Sequence, residues 1–217
     1  MHTLDDITAA IGRARPAAGA PAVLVGISGI DGAGKGYLAG RLHARLAHAG
    51  LRVALLNVDG WLNLPAVRFG EPPGEHFYHH ALRLDEMFGR LVLPLRDTRG
   101  VRLKMSYAEE TATAYRDHRY EFREVDVVLV EGIFLFKRAF RAHFDLAVWI
   151  DCTFESALER ALVRAQEGLP PAETVRAYQR IYFPAQRIHL ERDDPRGSAD
   201  GVLVNDPRLQ SLLTGSG

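Results

Sequence analysis

The apolar positions of this chain fall into two rhythms. Short apolar runs recur at 22–27, 53–58, 125–130, 146–150 and 202–204. Such runs predict strands buried on both faces. Between them apolar residues return every three or four positions, as on a helix with one buried side. Residues 3–13 read as a helix capped by Thr3, with Leu4, Ile7 and Ile11 on one face. Leu38, Leu42, Leu46 and Ala49 form a second stripe, which Gly50 ends. A third helix is predicted over 81–93, stopped by Pro94, and a fourth over 153–167, capped by Thr153. Gly168-Leu169-Pro170-Pro171 then breaks the chain before a longer helix over 174–189.

The remaining segments lack either rhythm. Residues 15–21 read as an Ala/Gly/Pro linker, and 62–75, with three prolines and two glycines, as a loop. The charged and aromatic stretch 101–123 suits short strands or a hairpin. Gly215-Ser216-Gly217 reads as a frayed tail. Strands alternating with helices predict an α/β fold, a parallel sheet with helices on both faces, in a single domain. Ligands in that architecture sit beyond the carboxyl ends of the strands.

Composition narrows the class. A chain of 217 residues, 47% hydrophobic and 25% charged, has the make-up of a globular domain and argues against wholesale disorder. Twenty-seven basic residues balance twenty-seven acidic ones, so no broad basic field points to nucleic acid or an anionic membrane. The most apolar stretch, 125–136, is interrupted by Asp126 and Glu131 and is too short to span a bilayer. Cys152 is the one cysteine, so no intrachain disulfide forms. The N-terminus has no basic segment followed by an apolar one. The expectation is a soluble cytoplasmic protein, with self-association left open.

The strongest chemical signal is Gly29-Ile30-Asp31-Gly32-Ala33-Gly34-Lys35-Gly36, set between a predicted strand and a predicted helix. It fits the phosphate-loop pattern through its lysine. The glycines let the backbone curl so that N–H groups point inward, and the helix N-terminus adds to the pull on phosphate oxygens. Gly29, Asp31, Gly32, Ala33, Gly34, Lys35 and Gly36 are therefore candidate nucleotide-binding residues, with Tyr37 beside them. A plain strand-to-helix turn is the bland alternative, which the full strand–loop–helix context disfavours. The last position departs from the pattern. Where a serine or threonine hydroxyl normally meets Mg²⁺, Gly36 has none, so either water fills that place or metal binding and turnover suffer.

Two carboxylates stand at strand ends. Asp59 follows the run 53–58, where an acid can orient and deprotonate an attacking hydroxyl or hold a metal-bound water. Glu131 closes the run 125–130, a place from which an acid can brace Mg²⁺ or its waters. Asp151, with Thr153 next, reads as part of a helix cap.

Taken together, these segments resemble the uridine kinase branch of the P-loop kinases, with pantothenate kinase and phosphoribulokinase as cousins. The resemblance runs from Val23 to about Pro207. It rests on Gly-Ile-Asp-Gly-Ala-Gly-Lys at 29–35, Val-Asp-Gly-Trp at 58–61, Val-Leu-Val-Glu-Gly-Ile-Phe at 128–134 and the stretch 144–151. It implies a three-layer P-loop sandwich with a small helical lid, the lid and its following helix lying at about 160–192. It also implies transfer of the ATP γ-phosphoryl group, with Mg²⁺, to a small-molecule hydroxyl, most simply that of a nucleoside such as uridine or cytidine. Asp59 matches the family's catalytic base, and Glu131 its acid near the magnesium. Arg160 and Arg164 lie on the helix leading to the lid, where arginines clamp phosphates; a solvated charged stripe is the alternative. Asn205 falls where a C-terminal loop passes the adenine.

The acceptor side matches less closely. The family's aromatic–acid–histidine stretch, whose acid holds ribose hydroxyls, meets Phe77-Tyr78-His79-His80 here, with Tyr78 in the acid's place. Tyr115 and His118 are the nearest matches to the tyrosine and histidine that sort pyrimidine bases. Trp61, Phe69, Phe77 and Tyr78 are candidates for an aromatic acceptor wall, with core packing as the alternative for each. His76 and His80 would share a helix face, a spacing that can bind zinc, although no cysteine is near. Two other functions stay open. One is a kinase for a non-nucleoside such as pantothenate or a sugar. The other is a nucleotide-binding regulatory protein whose turnover is weak because of Gly36.

Overall fold

The computed structural model describes residues 2–14, 17, 19–165 and 168–214. Its strands are β1 (Val23–Gly29), β2 (Val53–Asn57), β3 (Val101–Tyr107), β4 (Arg116–Phe122), β5 (Val127–Gly132), β6 (Leu146–Asp151) and β7 (Gly201–Val204). Five of them form a parallel sheet in the order β2-β5-β1-β6-β7. β3 and β4 pair antiparallel as a separate hairpin, Val101 opposite Phe122. All seven residues of β1 and all six of β5 are buried, which is why their sequences are apolar without alternation. The linker residues Arg15, Pro16 and Ala18, the end of the fourth helix stripe at Gln166 and Glu167, and the 215–217 tail lie outside the described residues.

A parallel sheet brings every strand's carboxyl end to one edge. In the register, Ile27 of β1 lies beside Glu131 of β5, and Asn57 of β2 lies on the other side of Glu131. The phosphate loop leaves β1 at that edge and runs into the helix Lys35–His48. Ser28 ties β1 to β5, its hydroxyl donating to the Gly132 carbonyl at 2.9 Å.

Several segments differ from the sequence reading. Residues 62–75 are not all loop: helices occupy Pro65–Arg68 and Pro73–His80, each with proline in its first turn, where the missing N–H costs nothing. Pro94 does not stop its helix. The helix Leu84–Met87 widens into a π turn at Phe88–Val92 and resumes as Leu93–Thr98, with Pro94 in the first turn of the resumed helix. A proline inside an α-helix clashes with the carbonyl four residues back, and a π turn before it relieves that clash. The same device recurs at Pro184. The predicted 174–189 helix starts earlier, at Pro171–Ala177, passes a π turn at Tyr178–Tyr182, and ends as Phe183–Asp193. β2 also ends sooner than expected, at Asn57, and a 3-10 turn, Val58–Gly60, carries Asp59.

The helices Pro73–His80 and Phe183–Asp193 pack together around a buried polar cluster. The Tyr78 hydroxyl donates to Asp193 Oδ2 at 2.5 Å, His189 Nδ1 meets the same oxygen at 2.7 Å, and the Arg138 amide donates to Oδ1 at 3.2 Å. Burial works against the Asp193 charge, but the bonds from His189, Tyr78 and Arg138 outweigh it and hold the carboxyl at about 2. Burial pushes His189 below its ordinary value, against the pull of Asp193.

Both shifts have the same sign for stability. A depressed folded value contributes stability above the unfolded value and loses it as pH falls. Acidification below about pH 6.5 should therefore begin to destabilise the fold through His189, and between about pH 4 and 2 through Asp193. Asp193→Ala should cost about 3 kcal/mol at pH 7, because Tyr78 and His189 lose their shared acceptor. Urea midpoints measured from pH 7 to pH 2.5 should show that deficit shrinking as wild type loses the same bonds.

Candidate active site

The phosphate loop is shaped by its own glycines and braced from outside. Gly34 sits at φ +86°, and a Cβ there would meet Asn205 Nδ2 at 2.4 Å, so any side chain would break the brace. Asn205 donates from that nitrogen to the Ala33 carbonyl at 2.8 Å. Arg160 donates to the Asn205 carbonyl at 2.7 Å and to the Gly32 carbonyl at 3.3 Å. Asp206 fixes this C-terminal segment by accepting from the Thr153 amide and hydroxyl and from the Ser156 hydroxyl. Asp31 is held on both oxygens. Oδ1 accepts from the Gly32 amide at 2.8 Å and lies 3.6 Å from Arg164, while Oδ2 accepts from the Tyr178 hydroxyl at 2.6 Å.

Against the loop lies a cavity of about 360 Å³. Lys35, 8% exposed, points into this region and donates to the Ile30 carbonyl at 2.9 Å. Asp59 reaches the cavity from its 3-10 turn, whose amide is held by the Asn57 side chain at 2.6 Å. Glu131, 6% exposed, reaches it from the end of β5. A Cβ at Gly36 would lie 3.4 Å from Glu131 Oε1, so the glutamate oxygen sits beside the place where a serine hydroxyl would begin.

The cavity's charges disturb one another. Burial pushes Glu131 up to about 7; Lys35 and Arg164 oppose that rise and Asp59 adds to it. Burial also raises Asp59, with Lys35 opposing and Asp31 adding. Two carboxyls raised in this way form a site short of positive charge. Among the described residues no group of three or more His, Cys, Asp or Glu could hold a metal by itself, so the His76–His80 spacing builds no such centre. Mg²⁺ needs no such cage: it keeps several waters and takes one or two carboxylates together with substrate phosphates. Glu131 and Asp59 fit that demand.

Of the residues singled out from sequence, Asp31, Gly32, Gly34, Lys35, Gly36, Tyr37, Asp59, Phe77, Glu131 and Arg164 line the cavity together. Gly29 and Ala33 are buried in the loop's own backbone, and Arg160 and Asn205 act on the loop from behind. Trp61, 1% exposed, stacks on Tyr120 in the core. Tyr78 belongs to the Asp193 cluster, and His79 is exposed with its ring against Tyr78. Tyr115 donates to Asn63 at 3.1 Å, and His118 packs between Tyr107 and Tyr120, all outside the cavity. Asn57, Leu62, Glu110, Ile133, Tyr182 and Gln186 line it without having been singled out. Tyr182 and Gln186 are four apart on one helix, a spacing the sequence does carry. Glu110 lies in the turn between β3 and β4, with no periodic signal.

Comparison with known proteins agrees with this geometry at the level of fold. The family model for the methylmalonyl Co-A mutase-associated GTPase MeaB matches residues 4–63, the segment that carries the phosphate loop. The chain is similar to the structure of a possible uridine kinase from Bacillus stearothermophilus, with TM-score 0.73 and 21% identity over 92% of this chain and 96% of that one. It is similar to a putative fructose transport system kinase from Silicibacter sp. TM1040, with TM-score 0.71 and 19% identity over 94% and 100%. A D-glycerate 3-kinase from Cryptococcus neoformans gives TM-score 0.58 and 15% identity over 86% of each chain. Comparison by sequence with curated proteins gives no match. The fold is therefore the P-loop NTPase α/β fold, and these similar solved structures are described as kinases of diverse substrates. No helix among the described residues is long and apolar enough to cross a membrane.

The raised Glu131 has a measurable consequence. A carboxyl whose folded value lies above its unfolded one favours folding below about pH 4.5 and loses that advantage as pH rises through 7. Glu131→Gln should therefore raise the melting temperature of the nucleotide-free, metal-free protein at pH 8 by about 5 °C and change it little at pH 4.5. Differential scanning fluorimetry at the two pH values measures this directly.

Proposed function

We propose that this protein is an ATP-dependent small-molecule kinase. The observation that carries the reading is the meeting of Lys35, Arg164, Asp59 and Glu131 in one cavity beneath a phosphate loop. Loop amides and Lys35 hold the phosphates, and Arg164 answers charge on the transferring group. The acceptor hydroxyl oxygen bonds to the γ-phosphorus while the bond from that phosphorus to the β–γ bridging oxygen breaks. Asp59 takes the hydroxyl proton, and ADP leaves. Burial raises Asp59, which makes it a better proton acceptor than an ordinary aspartate near neutral pH. Glu131 and Asp59 are the residues that would hold Mg²⁺ or its waters, and a bound Mg²⁺ would supply neutralisation of phosphate charge.

A nucleoside such as uridine or cytidine is the first acceptor to test, and pantothenate and simple sugars are the alternatives. Mg²⁺-dependent ADP release should rise with one acceptor and vanish in Lys35→Ala. Asp59→Asn should lower kcat by about 10² or more and leave ADP affinity, measured without Mg²⁺, within twofold of wild type. No acceptor-dependent release in wild type that binds ADP would count against a kinase.

Gly36 favours a second reading, a nucleotide-binding regulatory protein with weak turnover. Gly36→Ser separates the two. A kinase in which water completes the metal's coordination should gain less than about threefold in kcat, since a hydroxyl then adds little. A regulatory protein crippled by the missing hydroxyl should gain far more.

A further inference from the structure

Asp59 marks where the reacting hydroxyl would sit, so the rest of an acceptor must lie against the remaining lining. That lining includes Phe77, Glu110, Tyr182 and Gln186. Glu110 is delivered by docking of the hairpin. A Cβ on Gly60 would meet the Tyr107 ring at 2.1 Å, so only glycine lets the end of β3 settle on the Asp59 turn. Ala108 then donates to the Gly60 carbonyl at 3.1 Å, and Glu110 follows two residues later.

Glu110 is not a loose loop carboxylate. Arg68, 3% exposed and stacked 4.9 Å from the Phe69 ring, donates to the Glu110 backbone carbonyl. The same guanidinium lies 3.6 Å from Glu110 Oε1, and the Tyr182 hydroxyl lies 3.5 Å from that oxygen. Gln186 belongs to the same lining and is 1% exposed, yet neither its amide nitrogen nor its amide oxygen has a hydrogen-bond partner among the described residues. A buried amide without partners is costly, and a ligand that supplies both a donor and an acceptor completes it. Phe77 and Tyr182, edge to face with ring centroids 5.0 Å apart, add an apolar surface.

We infer that Glu110 reads the acceptor, and that the acceptor is an uncharged polyhydroxy compound, a sugar or a ribosyl group, rather than an acid. The inference rests on the kinase reading above. An ionised carboxylate accepts hydrogen bonds and donates none, so it pairs with hydroxyl donors and repels another carboxylate. Arg68 pairs with Glu110 through Nη2 alone, is 3% exposed and is not part of the cavity lining, so it does not serve as a cavity cation for an acidic acceptor. Gln186 offers one donor group and one acceptor to neighbouring hydroxyls, and the two rings suit the C–H face of a sugar or a flat base.

The test compares wild type with Glu110→Gln, which keeps shape and removes charge. Uridine, ribose and fructose are the neutral acceptors, and D-glycerate and pantothenate the acidic ones. Wild type should use at least one neutral acceptor and neither acid. Glu110→Gln should raise KM for that acceptor about tenfold or more, while ADP affinity measured by calorimetry stays within twofold and reports an intact fold. Use of uridine alone would assign a ribosyl group within a nucleoside; use of ribose or fructose would assign a free sugar. Preference for an acid, or an unchanged KM in Glu110→Gln, overturns this inference and leaves the kinase reading standing. Failure of all five acceptors in protein that binds ADP overturns both.

Discussion

Burying negative charge beside a phosphate loop is the constraint on which this site turns. Asp31, Asp59, Glu110 and Glu131 line the cavity against Lys35 and Arg164. A carboxylate taken from water must be answered by a cation or by hydrogen bonds, or it holds its proton. Asp31 is answered by the Gly32 amide, Tyr178 and Arg164, and Glu110 by Arg68 and Tyr182. Asp59 and Glu131 are answered least, and both are raised. A triphosphate would add further negative charge to the same space. Phosphate binding and a counter-cation are therefore one problem here, and the loop amides with Lys35 supply only part of the answer.

The fold solves the problem of position before that of charge. β1 runs between β5 and β6, so the loop, Glu131 and the Asp59 turn emerge at one sheet edge. The loop is then fixed from behind by Asn205 and Arg160, and from the helix Pro171–Ala177 and its π turn by Tyr178 on Asp31. The Tyr78–Asp193–His189 cluster locks together the helices that carry Phe77 and Gln186. The far wall of the cavity thus depends on a polar cluster that never touches the cavity. Under the kinase reading, transfer without loss to water would demand such stiffness, because positioning and electrostatics carry most of the catalysis in phosphoryl transfer.

Much of this was legible in the sequence. The two apolar rhythms mark the α/β alternation, and the glycine pattern ending in Lys35 marks the strand-to-helix junction. Asp59 and Glu131 are visible because each ends an apolar run. Other features are not local. Pro94 looks like a helix breaker, but a π turn ahead of it, as ahead of Pro184, absorbs the missing bond, and no residue pattern announces a π turn. Tyr78 looks like a wall residue in sequence, whereas its hydroxyl is used by Asp193 on a helix more than a hundred residues away. Glu110 and Gln186 become cavity residues only when the hairpin settles on Gly60 and the last long helix packs on Pro73–His80. Periodicity cannot report contacts of that range.

The most direct test follows the phosphorus itself. A single-turnover reaction with γ-³²P-labelled ATP, Mg²⁺ and the neutral acceptors separates label into acceptor phosphate, inorganic phosphate and remaining ATP. Label moving into an acceptor monoester faster than into inorganic phosphate is the expected result, since the kinase reading puts an acceptor hydroxyl rather than water against Asp59. Label that remains in ATP, or appears only as inorganic phosphate with every acceptor, would contradict phosphoryl transfer by this cavity.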